Sequence, residues 1–252
     1  MSPAGVPTPG APEKAAVQSM FDRIAPRYDL LNRLLSGGTD VRWRRRAVEF
    51  LGLTGPARVL DLATGTADLL IEALRRHPGH SGWGVDLSTR MLVHAAPKLR
   101  RHGLAHRSAL SAGDAERLPL RGGSFDAALI AFGIRNVSAP EQGLRELLRV
   151  LRPGGRLVVL EFALPPGLLG RAYRLYFTRV LPRIGGLVSG DRGAYAYLPA
   201  SVERFASPDE LSELMARAGF VDITRRRLTG GVAWLHRGAR PAAPASTGES
   251  AP

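Results

Sequence analysis

Residues 57–68 read ARVLDLATGTAD, a short apolar run that ends in a turn of small residues. The run predicts a buried β-strand, and the pattern from Thr66 to Arg76 predicts a helix that Pro78 and Gly79 end. A strand, a tight turn and a helix in this order form one unit of an open α/β sheet. Because small residues let a backbone approach a ligand closely, the turn is also a candidate binding site. A simple loop is the alternative interpretation.

Short β-rich runs alternate with helical patterns in the following part of the chain. The sequence predicts strands and helices in turn over residues 82–86, 88–101, 107–112, 125–131, 141–151 and 156–162. This alternation favours an α/β fold with a mainly parallel sheet and helices on both faces. Two more β-rich runs, 220–228 and 231–236, meet at a Thr-Gly-Gly turn and predict an antiparallel hairpin. We therefore predict a Rossmann-like, seven-stranded, mainly parallel sheet with a C-terminal antiparallel hairpin.

The composition is that of an ordinary globular protein. Hydrophobic residues make up 44% of the 252 residues, and no apolar run reaches the roughly 18–20 residues of a membrane span. Residues 1–12 lack the basic and apolar segments of a signal peptide. The chain has no cysteine, which excludes disulfides, thiolate metal sites and a cysteine nucleophile, and we expect no metal. A cytoplasmic enzyme fits these features best.

The domain boundaries follow from shifts in composition at the two ends. Residues 1–12 and 239–252 are rich in Pro, Ala, Ser and Gly, and we predict that both are disordered tails. Residues 13–238 are predicted to form a single domain. Within it, residues 13–50 are predicted to form N-terminal cap helices, and residues 165–200 an insertion that covers the substrate as a lid.

The net charge of +13 comes almost entirely from arginine, since the chain contains only two lysines, Lys14 and Lys98. A solvated basic surface, an anionic membrane and a nucleic acid are three explanations for such a charge. The basic residues are dispersed rather than gathered in one run, so we expect no nucleic acid. Residues 168–187 mix aromatics, aliphatics and arginines at helical spacing, which favours a helix at a membrane surface. A core-facing helix with a basic outer side is the alternative.

Acidic and small residues follow the predicted strands at their carboxyl ends, where ligands of open α/β sheets bind. In the first turn, Thr66 can bind a carboxylate through its hydroxyl and backbone N–H, whereas Asp61 either contacts the ligand or caps the turn. Asp86 ends the second strand and can accept hydrogen bonds from both hydroxyls of a ribose. Asp114 can accept from the amine of an adenine, while Ala115 leaves room for the ring. With the terminal hairpin, this set favours S-adenosyl-L-methionine over a nicotinamide dinucleotide.

Four stretches of the chain resemble the menaquinone and ubiquinone biosynthesis C-methyltransferases. They are residues 20–32 (MFDRIAPRYDLLN) with Trp43, 112–119 (AGDAERLP), 132–137 (FGIRNV) and 151–162 (LRPGGRLVVLEF). The resemblance covers about residues 15–238. It implies a class I methyltransferase fold and transfer of a methyl group from S-adenosyl-L-methionine to a ring carbon of a prenylated hydroquinone. By position it implies cofactor contacts at Thr66, Asp86, Asp114 and Ala115. Family members often carry a serine where this chain has Ala131, another predicted cofactor contact.

The predicted catalytic residues follow from the chemistry of such a substrate. A quinol carbon becomes nucleophilic when the neighbouring hydroxyl loses its proton, so the site needs a group that stabilises the oxyanion. Arg135 is the predicted positive charge, and Asn136 the predicted orienting hydrogen bond. Tyr28 and Asp29 are predicted to close over the cofactor and the substrate. Core packing on one helix face is the alternative for Tyr28, because the apolar residues around it recur at helical spacing.

Three further residues are candidates for the substrate pocket. Tyr195 and Tyr197 could line it, and His236 could act as a base. A structural or surface role is the stronger interpretation of His236, because it lies in a predicted strand.

The expected substrate is a prenylated demethylmenaquinol, methylated in the last step of menaquinone biosynthesis. The prenyl tail implies peripheral attachment to the inner face of the cell membrane, and the resemblance leaves room for a homodimer. A C- or O-methyltransferase of a phenolic or polyketide natural product is the alternative within the same chemistry. From a different class, a nucleic-acid-binding or scaffold protein could keep the same fold.

Overall fold

A computed structural model describes residues 13–176, 179 and 192–243. The centre of this region is a seven-stranded sheet, as predicted. In chain order its strands are β1 (Arg58–Leu62), β2 (Ser81–Asp86), β3 (Ser108–Ala112), β4 (Phe125–Ala131), β5 (Leu151–Phe162), β6 (Val221–Leu228) and β7 (Ala233–Ala239).

The order of the strands across the sheet is β3-β2-β1-β4-β5-β7-β6. Strands β1 to β5 pair in parallel, whereas β7 is antiparallel to both β5 and β6. The turn Thr229–Gly231 joins β6 to β7, which confirms the predicted hairpin. The order reverses between β1 and β4, and ligands of open α/β sheets bind where this reversal occurs.

Helices cover both faces of the sheet. In chain order they are α1 (Lys14–Ile24), α2 (Tyr28–Ser36), α3 (Thr39–Leu51), α4 (Asp68–Arg76), α5 (Thr89–Arg101), α6 (Pro140–Val150), α7 (Gly167–Leu175), α8 (Arg192–Arg204) and α9 (Pro208–Arg217). Successive residues of β5 face opposite sides: Leu157 packs with α6 and α9, and Val158 packs with α3 and α4. Burial on both faces explains why the central strands read as continuous apolar runs.

Local signals in the sequence set the N-terminal ends of α5 and α9. The Ser88 hydroxyl accepts from the Met91 N–H and caps α5, and Ser207 forms a capping box with Glu210 at α9. Helix α4 begins two residues later than predicted. The reason is that Ala67 has a left-handed backbone (φ 68°), which keeps the turn after β1 open.

The N-terminal cap contains helices α1 to α3. The apolar spacing from Phe21 to Leu35 predicts one helix face, but a 3-10 turn over Ala25–Arg27 separates α1 from α2. Pro26 lies in this turn, and a proline has no N–H to continue an α-helix. The cap packs on the sheet domain through a buried cluster of Met20, Ile24, Ala25, Leu31, Met91 and Val202.

The predicted tails lie mostly outside the described residues. Residues 1–12 and 244–252 are outside them, as are 177–178 and 180–187 of the predicted interfacial helix. At the C-terminal side, β7 includes Ala239, and the Arg240 N–H donates to the Gly155 carbonyl at 2.8 Å. The predicted C-terminal tail, residues 239–252, therefore begins two residues too early. Among the residues that the structure describes, no helix is long and apolar enough to cross a membrane.

Candidate active site

Two adjoining cavities lie at the carboxyl ends of the central strands. A narrow cleft of about 90 Å³ follows β1, β2 and β4, and a larger cavity of about 790 Å³ lies between the N-terminal cap and helices α7 and α8. Phe21, Tyr28 and Phe132 line both. The two cavities are therefore adjacent.

Close packing of the loops after β1 and β4 shapes the cleft. A Cβ atom on Gly133 would lie 2.6 Å from the Ala63 Cβ, so only glycine lets these loops approach. Ala63 has a positive φ of 53°, and Gly65 has one of 55°. The small-residue turn predicted from the sequence therefore forms one wall of the cleft, with its backbone exposed to a ligand.

Asp86 lies in the cleft at the end of β2 and holds the turn in place. Its carboxylate accepts hydrogen bonds from the Gly65 N–H at 2.7 Å and the Ser88 N–H at 2.8 Å. Burial raises the pKa of Asp86 to about 6, against the lowering effect of these two hydrogen bonds. The side chain lines the cleft, in agreement with a hydrogen-bond acceptor for a ribose.

Asp114 also lines the cleft, together with Ala115 and Ala131. Lys14 Nζ, at the start of α1, lies 2.8 Å from Asp114 Oδ2 and 2.6 Å from Glu116 Oε2. Helix α1 therefore covers the cleft. At about 90 Å³ the cleft is smaller than the roughly 300–1,000 Å³ of most ligand pockets. No motif or spacing in the sequence indicates this role for Lys14.

Asp61 does not line either cavity. Its buried carboxylate accepts from the Thr64 hydroxyl at 2.6 Å and from the Leu70 N–H at 3.1 Å. Burial raises the pKa of Asp61 to about 7. Of the two roles that the sequence allows, the geometry is that of a cap on the turn.

Thr66 and Asp29 contact each other rather than the two cavities. The Thr66 hydroxyl donates to Asp29, and Lys98 Nζ lies 2.6 Å from the same carboxylate. Lys98 also pairs with Asp68 at the start of α4. These contacts attach α2 to the turn after β1 and to α5. Asp29 thus positions the cap, while its neighbour Tyr28 is the residue that reaches the cavities.

Tyr28 lies on the boundary between the cleft and the larger cavity, and its ring packs edge-on against Phe21 at 6.2 Å. Burial raises the pKa of its hydroxyl, and the charges of Arg44 and Arg135 oppose that rise. The partly buried ring packs against the buried cluster of the cap, which supports the packing interpretation. The functional interpretation stays a prediction.

Aromatic rings form much of the wall of the larger cavity. Phe132 and Phe162 stack with their centroids 4.3 Å apart, and Trp43 packs against both rings at about 6 Å. The Trp43 indole N–H donates to the Thr229 hydroxyl at 2.9 Å, which attaches the cap to the β6–β7 turn. Such a wall suits a flat aromatic ring with an apolar substituent.

Like Arg44, Arg135 is a buried cation that lines the larger cavity. Its guanidinium donates to Glu161 at 2.6 Å, to the Phe132 carbonyl at 2.7 Å and to the Ser201 hydroxyl at 3.3 Å. Burial raises the pKa of Glu161, and the charge of Arg135 opposes the rise. The sequence predicts Arg135 at the site, but it does not predict the carboxylate that accompanies it.

Asn136 connects the cleft to the larger cavity. Its side chain lines the cleft, donates to the Phe132 carbonyl at 3.3 Å and accepts from the Tyr197 hydroxyl at 3.0 Å. Tyr197 lines the larger cavity, as predicted, whereas the side chain of Tyr195 lies outside the described part.

His236 lies away from both cavities. It is buried on β7, and its Nε2 is 2.9 Å from the Pro208 carbonyl at the start of α9. Burial lowers its pKa, and the hydrogen bond with the Pro208 carbonyl opposes this effect. The structural interpretation of this histidine therefore holds. Among the described residues, no group of three or more His, Asp and Glu side chains is arranged to hold a metal.

The fold and the site together define a class of protein. A Rossmann-like sheet with an antiparallel end, acids after β2 and β3, and a cleft beside an aromatic cavity is the arrangement of an S-adenosyl-L-methionine-dependent methyltransferase. The sequence model of the ubiE/COQ5 methyltransferase family matches residues 10–240, and the chain belongs to this family. The methyl donor of the enzyme is S-adenosyl-L-methionine.

Curated relatives match over nearly their full length. The demethylmenaquinone methyltransferase of Thermus thermophilus is 54% identical, over 88% of this chain and 100% of its own. That of Deinococcus radiodurans is 52% identical, over 87% and 90%. A ubiquinone/menaquinone biosynthesis C-methyltransferase of Syntrophotalea carbinolica is 51% identical, over 88% and 92%. These matches confirm the resemblance seen in the sequence.

Solved structures share the fold at low sequence identity. The [4+2]-cyclase SpnF superposes with a TM-score of 0.71 at 22% identity, over 95% of this chain and 100% of that one. A possible histamine N-methyltransferase from Thermotoga maritima superposes with a TM-score of 0.63 at 24% identity, over 89% and 99%. The two structures confirm the predicted fold class.

Proposed function

We propose that this enzyme transfers a methyl group from S-adenosyl-L-methionine to a ring carbon of a prenylated demethylmenaquinol, the last step of menaquinone biosynthesis. The observation that carries the proposal is the aromatic cavity of about 790 Å³ that shares Phe21, Tyr28 and Phe132 with the cleft. The relatives from Thermus thermophilus and Deinococcus radiodurans, named for this activity, are more than 50% identical to the chain.

The cleft is the proposed site of the cofactor. Its residues fit an adenosine: Asp86 for the ribose, Asp114 for the adenine amine, and Ala115 and Ala131 beside the ring. Any side chain at Gly133 would close the space between the loops after β1 and β4. When bound, the cofactor supplies a methyl group on a sulfonium centre, which is already activated for transfer to a nucleophile.

The larger cavity is the proposed site of the quinol. The stacked Phe132 and Phe162 rings offer an aromatic surface to the naphthalene ring, next to the wall shared with the cleft. Arg135 offers N–H donors to a quinol oxygen, which favours the ionised form. Asn136 and Tyr197 form a polar pair that orients the ring. The enzyme thus positions the ring carbon and stabilises the charge that makes it nucleophilic.

Peripheral attachment to an anionic membrane is the second part of the proposal. Leu30 and Leu34 lie one turn apart on α2 with 59% and 50% of their surfaces exposed, and Leu34 also lines the larger cavity. On α7, Leu168 and Leu175 are exposed beside Arg171. Exposed leucines with nearby cations are typical of surfaces that dock on anionic lipid. A prenyl tail could then enter the cavity directly from the bilayer.

A labelled-methyl transfer assay tests the proposed reaction. Reduced demethylmenaquinone in detergent micelles is the substrate, and binding of S-adenosyl-L-methionine is measured separately by calorimetry. We expect turnover by the native enzyme and its loss in Arg135→Ala with cofactor binding retained. Cofactor binding without turnover by the native enzyme would reject the quinol and direct the search to phenolic natural products.

A further inference from the structure

Glu161 is a buried carboxylate directly behind the guanidinium of Arg135. It lies near the end of β5 and is 2% exposed. Its Oε1 accepts from Arg135 Nη1 at 2.6 Å and from the Phe162 N–H at 2.8 Å. The cation that the site offers to its substrate is thus held against a buried anion.

The hydrogen bonds of Arg135 leave one edge of its guanidinium for a ligand. An arginine has five N–H donors, two on each terminal nitrogen and one on Nε. Ser201 accepts from Nε, and Phe132 and Glu161 accept from Nη1. Among the described residues, no protein group accepts from the two N–H groups of Nη2. Because Arg135 lines the larger cavity, that edge is the one available to a substrate oxygen.

The second oxygen of Glu161 gives the independent observation. Oε2 is buried and accepts no hydrogen bond from the residues that the structure describes. A buried carboxylate is costly unless a partner compensates its charge, and Arg135 is that partner here.

We infer that Glu161 is a positioning residue for Arg135: it fixes the guanidinium with its Nη2 edge toward the cavity and compensates its charge. A compensated cation lowers the pKa of a bound phenol less than a lone cation does. The quinolate is therefore stabilised enough to form. It also stays reactive toward the methyl group, because its basicity is lowered less and a weaker base is a weaker nucleophile. This inference rests on the proposed function, since it assumes a phenolic oxygen in the cavity.

Other titratable groups face the pair and set its surroundings. Tyr197 on α8 interacts with both Arg135 and Glu161, and Arg204 of the same helix also acts on Tyr197. The positive charge of Arg135 acts to lower the pKa of both Tyr28 in the cap and Tyr173 in α7. Burial raises the pKa of each of these three tyrosines, so they stay neutral while a phenolic ligand ionises.

A chromophoric naphthol tests this inference without methyl transfer. 4-Nitro-1-naphthol absorbs differently when ionised, so its pKa in the site can be titrated spectroscopically. Glu161→Gln keeps an oxygen for Arg135 Nη1 but removes the charge. We expect the pKa of the bound probe to fall by about one to two units relative to the native enzyme. Ser201→Ala removes another contact of Arg135 without changing any charge, and it should leave the pKa of the probe in place.

The outcomes separate this inference from the proposed function. The role of Glu161 would be overturned by an unchanged or higher pKa of the probe in Glu161→Gln. It would also be overturned if the probe showed no saturable binding to the native enzyme. If the quinol assay fails while the pKa of the probe shifts as expected, only the proposed substrate is rejected. If Glu161→Gln does not fold, the double variant Arg135→Gln/Glu161→Gln tests charge compensation instead. Recovery of folding supports charge compensation, and failure of the double variant overturns it.

Discussion

Lys14 Nζ lies 2.8 Å from Asp114 Oδ2, so the first residue of α1 is ion-paired with the loop after β3. The carboxylate that we assign to the adenine amine is therefore engaged by the N-terminal cap. We expect entry of the cofactor to break or rearrange this contact.

Removing the Lys14 side chain should speed entry of the cofactor. In Lys14→Met, α1 loses its ion pairs with Asp114 and Glu116, so we expect S-adenosyl-L-methionine to associate several-fold faster in stopped-flow fluorescence. Lys14→Arg keeps the charge and is the matched control. Equal association rates in all three proteins would mean that α1 does not limit entry.

A methyl group at Gly133 should damage the cleft. Its Cβ would lie 2.6 Å from the Ala63 Cβ, so Gly133→Ala forces the loops after β1 and β4 apart. We expect a loss of about 1–3 kcal/mol in the free energy of unfolding and at least tenfold weaker cofactor binding. At Gly55 an added Cβ meets no atom within 4 Å, so Gly55→Ala is the control. Normal cofactor affinity in Gly133→Ala would contradict the assignment of the cleft.

Asp61 should make stability depend on pH. Burial raises its pKa from 3.8 to about 7, so the folded protein binds this proton more tightly than the unfolded chain. Unfolding then releases the proton between about pH 4 and 7, and rising pH favours unfolding in that window. We expect the native protein to lose stability relative to Asp61→Asn by up to about 1.4 kcal/mol per pH unit there. Chemical denaturation at several pH values measures this, with the exposed Glu213→Gln as the control.

The hydroxyl of Tyr197 should matter for turnover but not for cofactor binding. It donates to Asn136 from the wall of the larger cavity, so Tyr197→Phe leaves the Asn136 amide without its orienting partner. We expect kcat to fall about tenfold, which corresponds to about 1.4 kcal/mol, with the Kd for S-adenosyl-L-methionine unchanged. Leu198→Met changes the same wall without a polar group and should have a smaller effect. A change confined to the Kd would place Tyr197 at the cofactor instead.

Exposed leucines on α2 should support membrane binding. Leu30→Ser removes exposed apolar surface outside the larger cavity, so sedimentation with anionic liposomes should fall. Arg171→Ala/Arg174→Ala should weaken the same binding at low salt. In both variants, turnover of a short-chain quinol in micelles should change less than liposome binding. Equal losses in the two assays would argue against an interfacial role.

The elements with local signals could be predicted closely. Strand β4 spans Phe125–Ala131, as predicted, because an uninterrupted apolar run lies between turn residues. Ser88 and the β6–β7 turn were also identified, since a cap and a hairpin depend on residues close in sequence. The sequence does not predict the 3-10 turn at Pro26, because the apolar spacing on its two sides is that of one helix.

The site was predicted less completely, and for one physical reason. Asp86, Asp114 and Arg135 follow strands, so the topology of a parallel sheet brings them to one edge. Their partners cannot be read from spacing, because Lys14 meets Asp114 across 100 residues and Glu161 meets Arg135 across 26. Asp61 also follows its strand, yet its carboxylate turns away to cap the loop.

The sheet, the hairpin, the family and the acids at the strand ends can all be predicted from the chain alone, because hydrophobic period, turn chemistry and motifs are local properties. Which of those polar groups line a cavity, and which are neutralised by a partner, depends on the folded structure. Burial and ion pairing depend on contacts between distant segments, and these contacts set the charge that a buried side chain presents to a ligand.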